Sequence, residues 1–250
     1  PRRELMQPPQ IVSKEQWLKA RLDLLEKEKA HSLARDRLTR ERQAMPWVKL
    51  EKDYSFAGTH GAVALAELFG DKSQLIIQHF MFEPDWDQGC KSCSVMADHI
   101  DPSVVRVAHR DVAYAAVSKA PLEKLEAFKK RMGWSFTWVS SADSDFNRDF
   151  HVSFTEEELK NSEVYYNFRE SKPFSGKEAP GISVFAKDDQ GVIYHTYSVY
   201  ARGLETFIGA YDVLDLVPKG RDEGGLPYGM AWLRPKDRYD DQQLTPLTIG

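Results

Sequence analysis

The hydrophobic positions of this chain change their period near residue 46, and the two patterns predict different structures. From Ser13 to Ala44 apolar residues recur at helical spacing, with Trp17, Leu18, Leu22, Leu25 and Leu33 set among charged neighbours. Ser13 and Gln16 have the spacing of a capping box and Pro46 ends the pattern, so the stretch predicts one long helix. The rest of its surface, from Lys27 through Arg42, is crowded with charge in which Lys and Arg outnumber Asp and Glu. A solvated face with i,i+4 ion pairs accounts for this better than a nucleic-acid arm. Residues 1–46 are therefore expected to form a helical arm that packs across the main domain, or against a second copy of the chain in a homodimer.

After Pro46 the period shortens. Ser73 to Phe82 (SQLIIQHFMF) and Asp111 to Ser118 (DVAYAAVS) have the composition of buried strands, and Trp138 to Ser141 is a third candidate. Pro121 to Met132 is a helix with proline in its first turn and Gly133 just past its end. Thr155 and Glu158 are spaced as a capping box that opens another short helix. Tyr166 to Ala179 shows no period and is expected to be a surface loop. Ile182 to Lys187 and Val192 to Tyr200 alternate on either side of Asp188-Asp189-Gln190-Gly191, which predicts a hairpin. Leu204 to Leu214 reads as a helix, and the tail from Val217 is rich in proline, glycine and charge.

Strands separated by helices pair in parallel, whereas a tight turn forces an antiparallel pair. Residues 47–250 are thus expected to be an α/β domain with a mixed central sheet flanked by helices, carrying an N-terminal helical extension. The element order suits a thioredoxin-like fold.

Composition narrows the partners. Of 250 residues 42% are apolar and 29% charged, the profile of an ordinary globular protein. The 34 Lys plus Arg are balanced by 38 Asp plus Glu, so neither nucleic acid nor an anionic membrane is an expected partner. The longest apolar stretches, Leu75 to Phe82 and Val112 to Val117, are too short to cross a bilayer, and no secretory leader pattern is evident near the N-terminus. Two cysteines cannot build a secreted disulfide framework, which points to a reducing compartment and a cytoplasmic location.

Those two cysteines are the sharpest chemical feature. They form Cys90-Lys91-Ser92-Cys93, a spacing that two randomly placed cysteines would reach about once in a hundred chains of this length. The pair leaves a strand and enters a helix, where free backbone N–H groups stabilise a thiolate. Cys90 would then be the attacking sulfur and Cys93 the resolving partner, acting on a thiol, disulfide or peroxide substrate without a cofactor. Two other readings stay open. The cysteines could be inert small hydrophobes, or half of a copper or zinc site completed by histidines such as His195 and His79. Each of those histidines lies on an expected strand, where a satisfied core histidine is the simpler account. Asp85, Asp87 and Asp98 would raise a nearby thiol pKa while Lys91 and the helix N-terminus would lower it, so the net shift is left open. Trp86 could wall the site, or simply pack. Pro180, directly before the strand GISVFA, could turn the backbone in cis beside the site, or end the loop in trans.

The runs LAELFGDKSQLIIQHFMFEPDWDQGCKSC, RDVAYAAVSKAPLEKLEAFKKRMGWSFTWVSS, DFNRDFHVSFTEEE and PGISVFAKDDQGVIYHTYSVYARG closely resemble the thioredoxin-like family catalogued as domain of unknown function 899, from about Val12 to Arg238. More distantly the layout is similar to peroxiredoxins. The resemblance implies a thioredoxin-like fold with Cys90 and Cys93 at the redox position and Pro180 at the cis-proline position. The peroxiredoxin pattern expects threonine three residues before the attacking cysteine, and Asp87 stands there, which favours general thiol–disulfide exchange over peroxide reduction.

Overall fold

The computed structural model describes residues 9–161, 163–171 and 176–239. The chain divides into two compact units, Pro1–Trp47 and Val48–Gly250. The first is helix α1, Lys14–Gln43, which begins with the expected capping box: the Gln16 N–H donates to Ser13 Oγ, and the Ser13 N–H to Gln16 Oε1. None of its residues is buried. Ion pairs such as Arg21–Glu28 and Lys29–Glu26 lie along its surface.

In the second unit β1 is Val48–Lys49, β2 Ser55–Gly58 and β3 Gly61–Ala64; β4 is Gln74–His79 and α2 Lys91–Ala108. Then follow β5 Val112–Ser118, α3 Leu122–Met132, β6 Thr137–Ser140, α4 Phe146–Asp149 and α5 Glu156–Lys160. The chain continues through β7 Val164–Tyr166, β8 Arg169–Ser171, β9 Gly181–Lys187, β10 Ile193–Tyr200 and α6 Gly209–Leu214. One sheet takes eight of the strands in the order β1-β10-β9-β4-β5-β6-β2-β3, and β7 and β8 form a separate hairpin. β4, β5 and β6 are parallel, joined by α2 and α3; β9 runs antiparallel to β4 and is flanked by β10. The mixed sheet is therefore as expected, with the parallel strands at its centre.

The two faces of the sheet bury different side chains. On one, Leu75, Ile77, Val117 and Phe185 pack against Phe56, Phe69, Phe146 and Phe150. On the other, Phe80, Tyr114, Ala116 and Trp138 meet Cys93 and Ala97 of α2 and Leu125, Phe128 and Met132 of α3. Alternation along β4 produces this split: Ile77 and His79 face one way, Gln78 and Phe80 the other. α3 starts after Pro121 and stops at Gly133, whose φ of 68° is a left-handed cap that favours glycine.

Several elements depart from the sequence expectation. The helix that the cysteine pair was expected to enter, α2, runs on through Pro102 to Ala108. Proline normally closes a helix, but the apolar face contributed by Val95, Met96, Ile100 and Val104 packs on both sides of it. The helix expected over Leu204–Leu214 is a 3-10 turn, Ala201–Phe207, followed by α6. The loop expected over 166–179 instead includes the second strand of the β7–β8 hairpin, and residues 172–175 of that expectation lie outside the described residues. The β2–β3 hairpin, which extends the sheet beyond β6, had no clear signal because its strands are four residues each and, apart from the buried Phe56, mostly small and exposed.

Candidate functional site

The three central strands are parallel, so their C-terminal ends share one edge of the sheet, and the chain leaving each end is free to build a site there. β4 continues through Phe80 to Met81, whose carbonyl accepts the Cys90 N–H at 3.0 Å. The turn between them is held from α3: Lys124 Nζ donates to the carbonyls of Pro84 and Trp86 at 2.7 and 3.1 Å. Gly89 is packed so tightly that a Cβ there would lie 2.6 Å from Phe80 Cε1. Cys90 is the N-cap of α2, at φ −53° and ψ 134°, and its carbonyl accepts the Ser94 N–H and hydroxyl.

This geometry splits the two thiols. Cys90 is half-buried and Cys93 fully buried, and both are free. The hydrogen bond from Cys93 brings the Cys90 thiol down from 9.0 to about 6 against the opposing effect of burial, helped by the Ser92 hydroxyl at 3.2 Å and the backbone N–H groups of Ser92 and Cys93. The same contact and burial push the Cys93 thiol well up. No carboxylate ranks among the main influences on Cys90, which resolves the balance that the flanking aspartates had left open. Beneath the pair, Gln78 Nε2 donates to the Cys93 carbonyl at 3.1 Å, and Tyr114 Oη donates to Gln78 Oε1.

The other expected residues fall in two groups. Trp86 is half-buried against the same cluster as the cysteines. Pro180 directly precedes β9, and its neighbour Gly181 pairs with His79, so it stands level with the extension of β4 that holds Cys90. The bond before Pro180, left open between cis and trans by the sequence, is trans, as is every peptide bond among the described residues. Trans is the lower-energy isomer, and here Tyr166 Oη anchors the Pro180 carbonyl at 2.7 Å.

His79 and His195 belong to a different assembly on the opposite face of the sheet. His79 Nε2 bonds Ser183 Oγ at 2.8 Å, Ser183 Oγ bonds Ser198 Oγ at 2.8 Å, and Ser198 Oγ bonds His195 Nε2 at 2.7 Å. Burial depresses both histidines, His79 to about 3, so both imidazoles are neutral near pH 7. The four residues of the copper or zinc reading are therefore not drawn together. Among the described residues no three His, Cys, Asp or Glu side chains cluster in a way that could hold a metal ion. The site does not fit that reading.

Sequence reasoning missed the supporting residues. Glu83 and Glu178, both buried, lie where chain segments meet at this edge. Glu83 Oε1 accepts the Lys177 N–H at 2.9 Å; Glu178 accepts bonds from the Ser153 hydroxyl and from Asn147 Nδ2. Burial raises the Glu178 carboxyl to about 7. In sequence both look like ordinary surface acids. Gln78 alone carried a signal, as a polar residue inside an apolar strand.

A strand that feeds a cysteine pair into a helix, a parallel crossover to its neighbour, and an antiparallel strand entered through proline on its other side define a thioredoxin-like protein. The chain belongs to the family described as bacterial protein of unknown function (DUF899), whose model matches residues 6–239. No curated protein sequence matches it significantly. Among solved structures it is similar to a mutant of peroxiredoxin Q from Xanthomonas campestris, at 12% identity over 68% of this chain and 97% of that one with a TM-score of 0.43. It is also similar to the peroxidoxin BcpB from Mycobacterium tuberculosis, at 11% identity over 66% and 96% of the two chains with a TM-score of 0.43. No described helix is long and apolar enough to cross a membrane.

Proposed function

We propose that this protein is a thiol–disulfide oxidoreductase in which Cys90 is the nucleophile and Cys93 the resolving thiol. The observation that carries the reading is the asymmetry of the pair: a half-exposed, acidified thiol at a helix N-terminus, hydrogen-bonded to a buried thiol of raised pKa. The Cys90 thiolate attacks one sulfur of a substrate disulfide and expels the other as a thiolate. Cys93 then gives up its proton and attacks Cys90, which closes the internal disulfide and releases the second substrate thiol. Two electrons pass from the protein to the substrate. Trp86 and the Pro180 segment are the walls of the binding site in this scheme. Asp87 occupies the place where a peroxidase would gain from a hydroxyl donor, so disulfides are favoured over peroxides as substrates. The direction is reductive, as suits a cytoplasmic protein. For α1, the exposed Trp17, Leu18 and Leu22 fit association with a second copy of the chain, which light scattering would register as a dimer.

The test is stoichiometric. Reduced protein mixed with one equivalent of a small disulfide is expected to release two thiols and form one internal disulfide. Cys93→Ser is expected to stop at a mixed disulfide on Cys90, and Cys90→Ser to release nothing. Release from the Cys90→Ser variant at the original rate would refute the assignment.

A further inference from the structure

The β7–β8 hairpin turns through only two residues, Asn167 and Phe168, since Tyr166 pairs directly with Arg169. Both turn residues have positive φ, 54° and 62°. A two-residue turn of this kind favours Asn followed by Gly; a bulky aromatic in the second place is strained. Burial does not offset the strain, because Phe168 is 62% exposed. A ring that is costly to hold and mostly in water points to a use outside the fold.

Its surroundings show where that use lies. Phe168 meets the ring of Tyr200 edge to face at 5.4 Å, and Tyr200 also meets Tyr166 at 5.4 Å. Tyr200 lies against Gly181, where a Cβ would come within 2.7 Å of its ring, and Tyr166 Oη holds the Pro180 carbonyl. Tyr166 also accepts the Ala201 N–H at 3.0 Å. The hairpin is therefore tied to the Pro180 segment, which walls the site in the scheme above, with Phe168 as its exposed ring.

We propose that Phe168 is a specificity-determining residue that offers, with Tyr200 behind it, an aromatic platform to the aryl substituent of an organic disulfide attacked by Cys90. This rests on the thiol-exchange reading above. The attack forms the Cys90–substrate sulfur bond, breaks the substrate disulfide and expels an aryl thiolate. While the second aryl group is tethered to Cys90 it lies on the platform, until Cys93 displaces it as the second thiolate.

The experiment compares single-turnover rates of the reduced full chain with 4,4′-dithiodipyridine and with bis(2-hydroxyethyl) disulfide. Phe168→Gly is expected to slow the aromatic substrate roughly three- to tenfold, the range of one aromatic pair, and to leave the hydroxyethyl substrate within about twofold. The same variant is expected to melt no lower than the parent, since glycine suits the turn. Phe168→Tyr, which keeps the ring, is expected to retain the aromatic preference. Equal slowing of both substrates, slowing of neither, or a lower melting temperature would overturn the platform while leaving thiol exchange standing. If the parent protein reacts with neither disulfide, thiol exchange itself fails and the platform with it.

Discussion

The backbone N–H of Lys177 donates to the buried carboxyl of Glu83, joining the segment that leads to Cys90 with the segment that leads to Pro180. These segments are 94 residues apart in sequence, and the bond brings them together at one edge of the sheet. Glu83→Ala leaves that N–H without its partner, at a cost of about 1–3 kcal/mol. The expected result is a lower melting temperature and faster hydrogen exchange at the Lys177 amide.

Alkylation of Cys90 should titrate with a midpoint near pH 6, well below that of an ordinary thiol. Measuring the iodoacetamide rate against pH tests this, and Ser92→Ala should move the midpoint upward by removing one hydrogen bond to the sulfur. A thiol whose pKa falls from 9.0 to about 6 on folding contributes stability that is complete above pH 9 and lost as pH falls through 6.

Glu178 works in the opposite sense. Its carboxyl rises from 4.5 to about 7 because it is buried, so the folded state holds this proton more tightly than the unfolded one. The stability it contributes is complete below pH 4.5 and is lost as pH rises through 7, with a span on the order of 3 kcal/mol. Glu178→Gln keeps the shape without the proton. Denaturant melts between pH 4.5 and 8 should be flatter for the variant, and identical pH slopes would count against a buried, protonated Glu178.

Gly89→Ala places a Cβ 2.6 Å from Phe80 Cε1 and 3.0 Å from Phe128 Cε1, both atoms of rings fixed in the core. Overpacking of this kind costs about 1–3 kcal/mol, and a lower denaturation midpoint is expected. The strain falls on the turn that aims Cys90, so the variant should also alkylate more slowly at pH 7.

Much of this architecture is written in local signals. The Ser13–Gln16 and Thr155–Glu158 boxes both cap helices as their spacing implies, and Gly133 ends α3 in the left-handed conformation. The buried strands were legible because Leu75, Ile76 and Ile77 in β4 and the apolar stretch Val112 to Val117 in β5 stand out from their polar flanks. The supporting shell was not, because its logic is long-range. Nothing in the local sequence of Glu178 says that Ser153 and Asn147 will meet it, and Phe168 looks like any loop aromatic until the two-residue turn beneath it is seen. Pro180 shows what sequence leaves open: its place directly before β9 is read from the chain, but its trans isomer is visible only in the structure.

The hydrogen-bonded run from His79 through Ser183 and Ser198 to His195 crosses three adjacent strands and spans the bulge between His195 and Tyr197. Moving β9 by one residue would turn Ser183 toward the opposite face and take its hydrogen bond away from the buried His79 imidazole. Apolar side chains such as Ile77 and Phe185 set which face is buried but make no directional bond from strand to strand. The polar run therefore acts as an alignment key for the sheet, and it sets the level at which Pro180 stands opposite the cysteine turn.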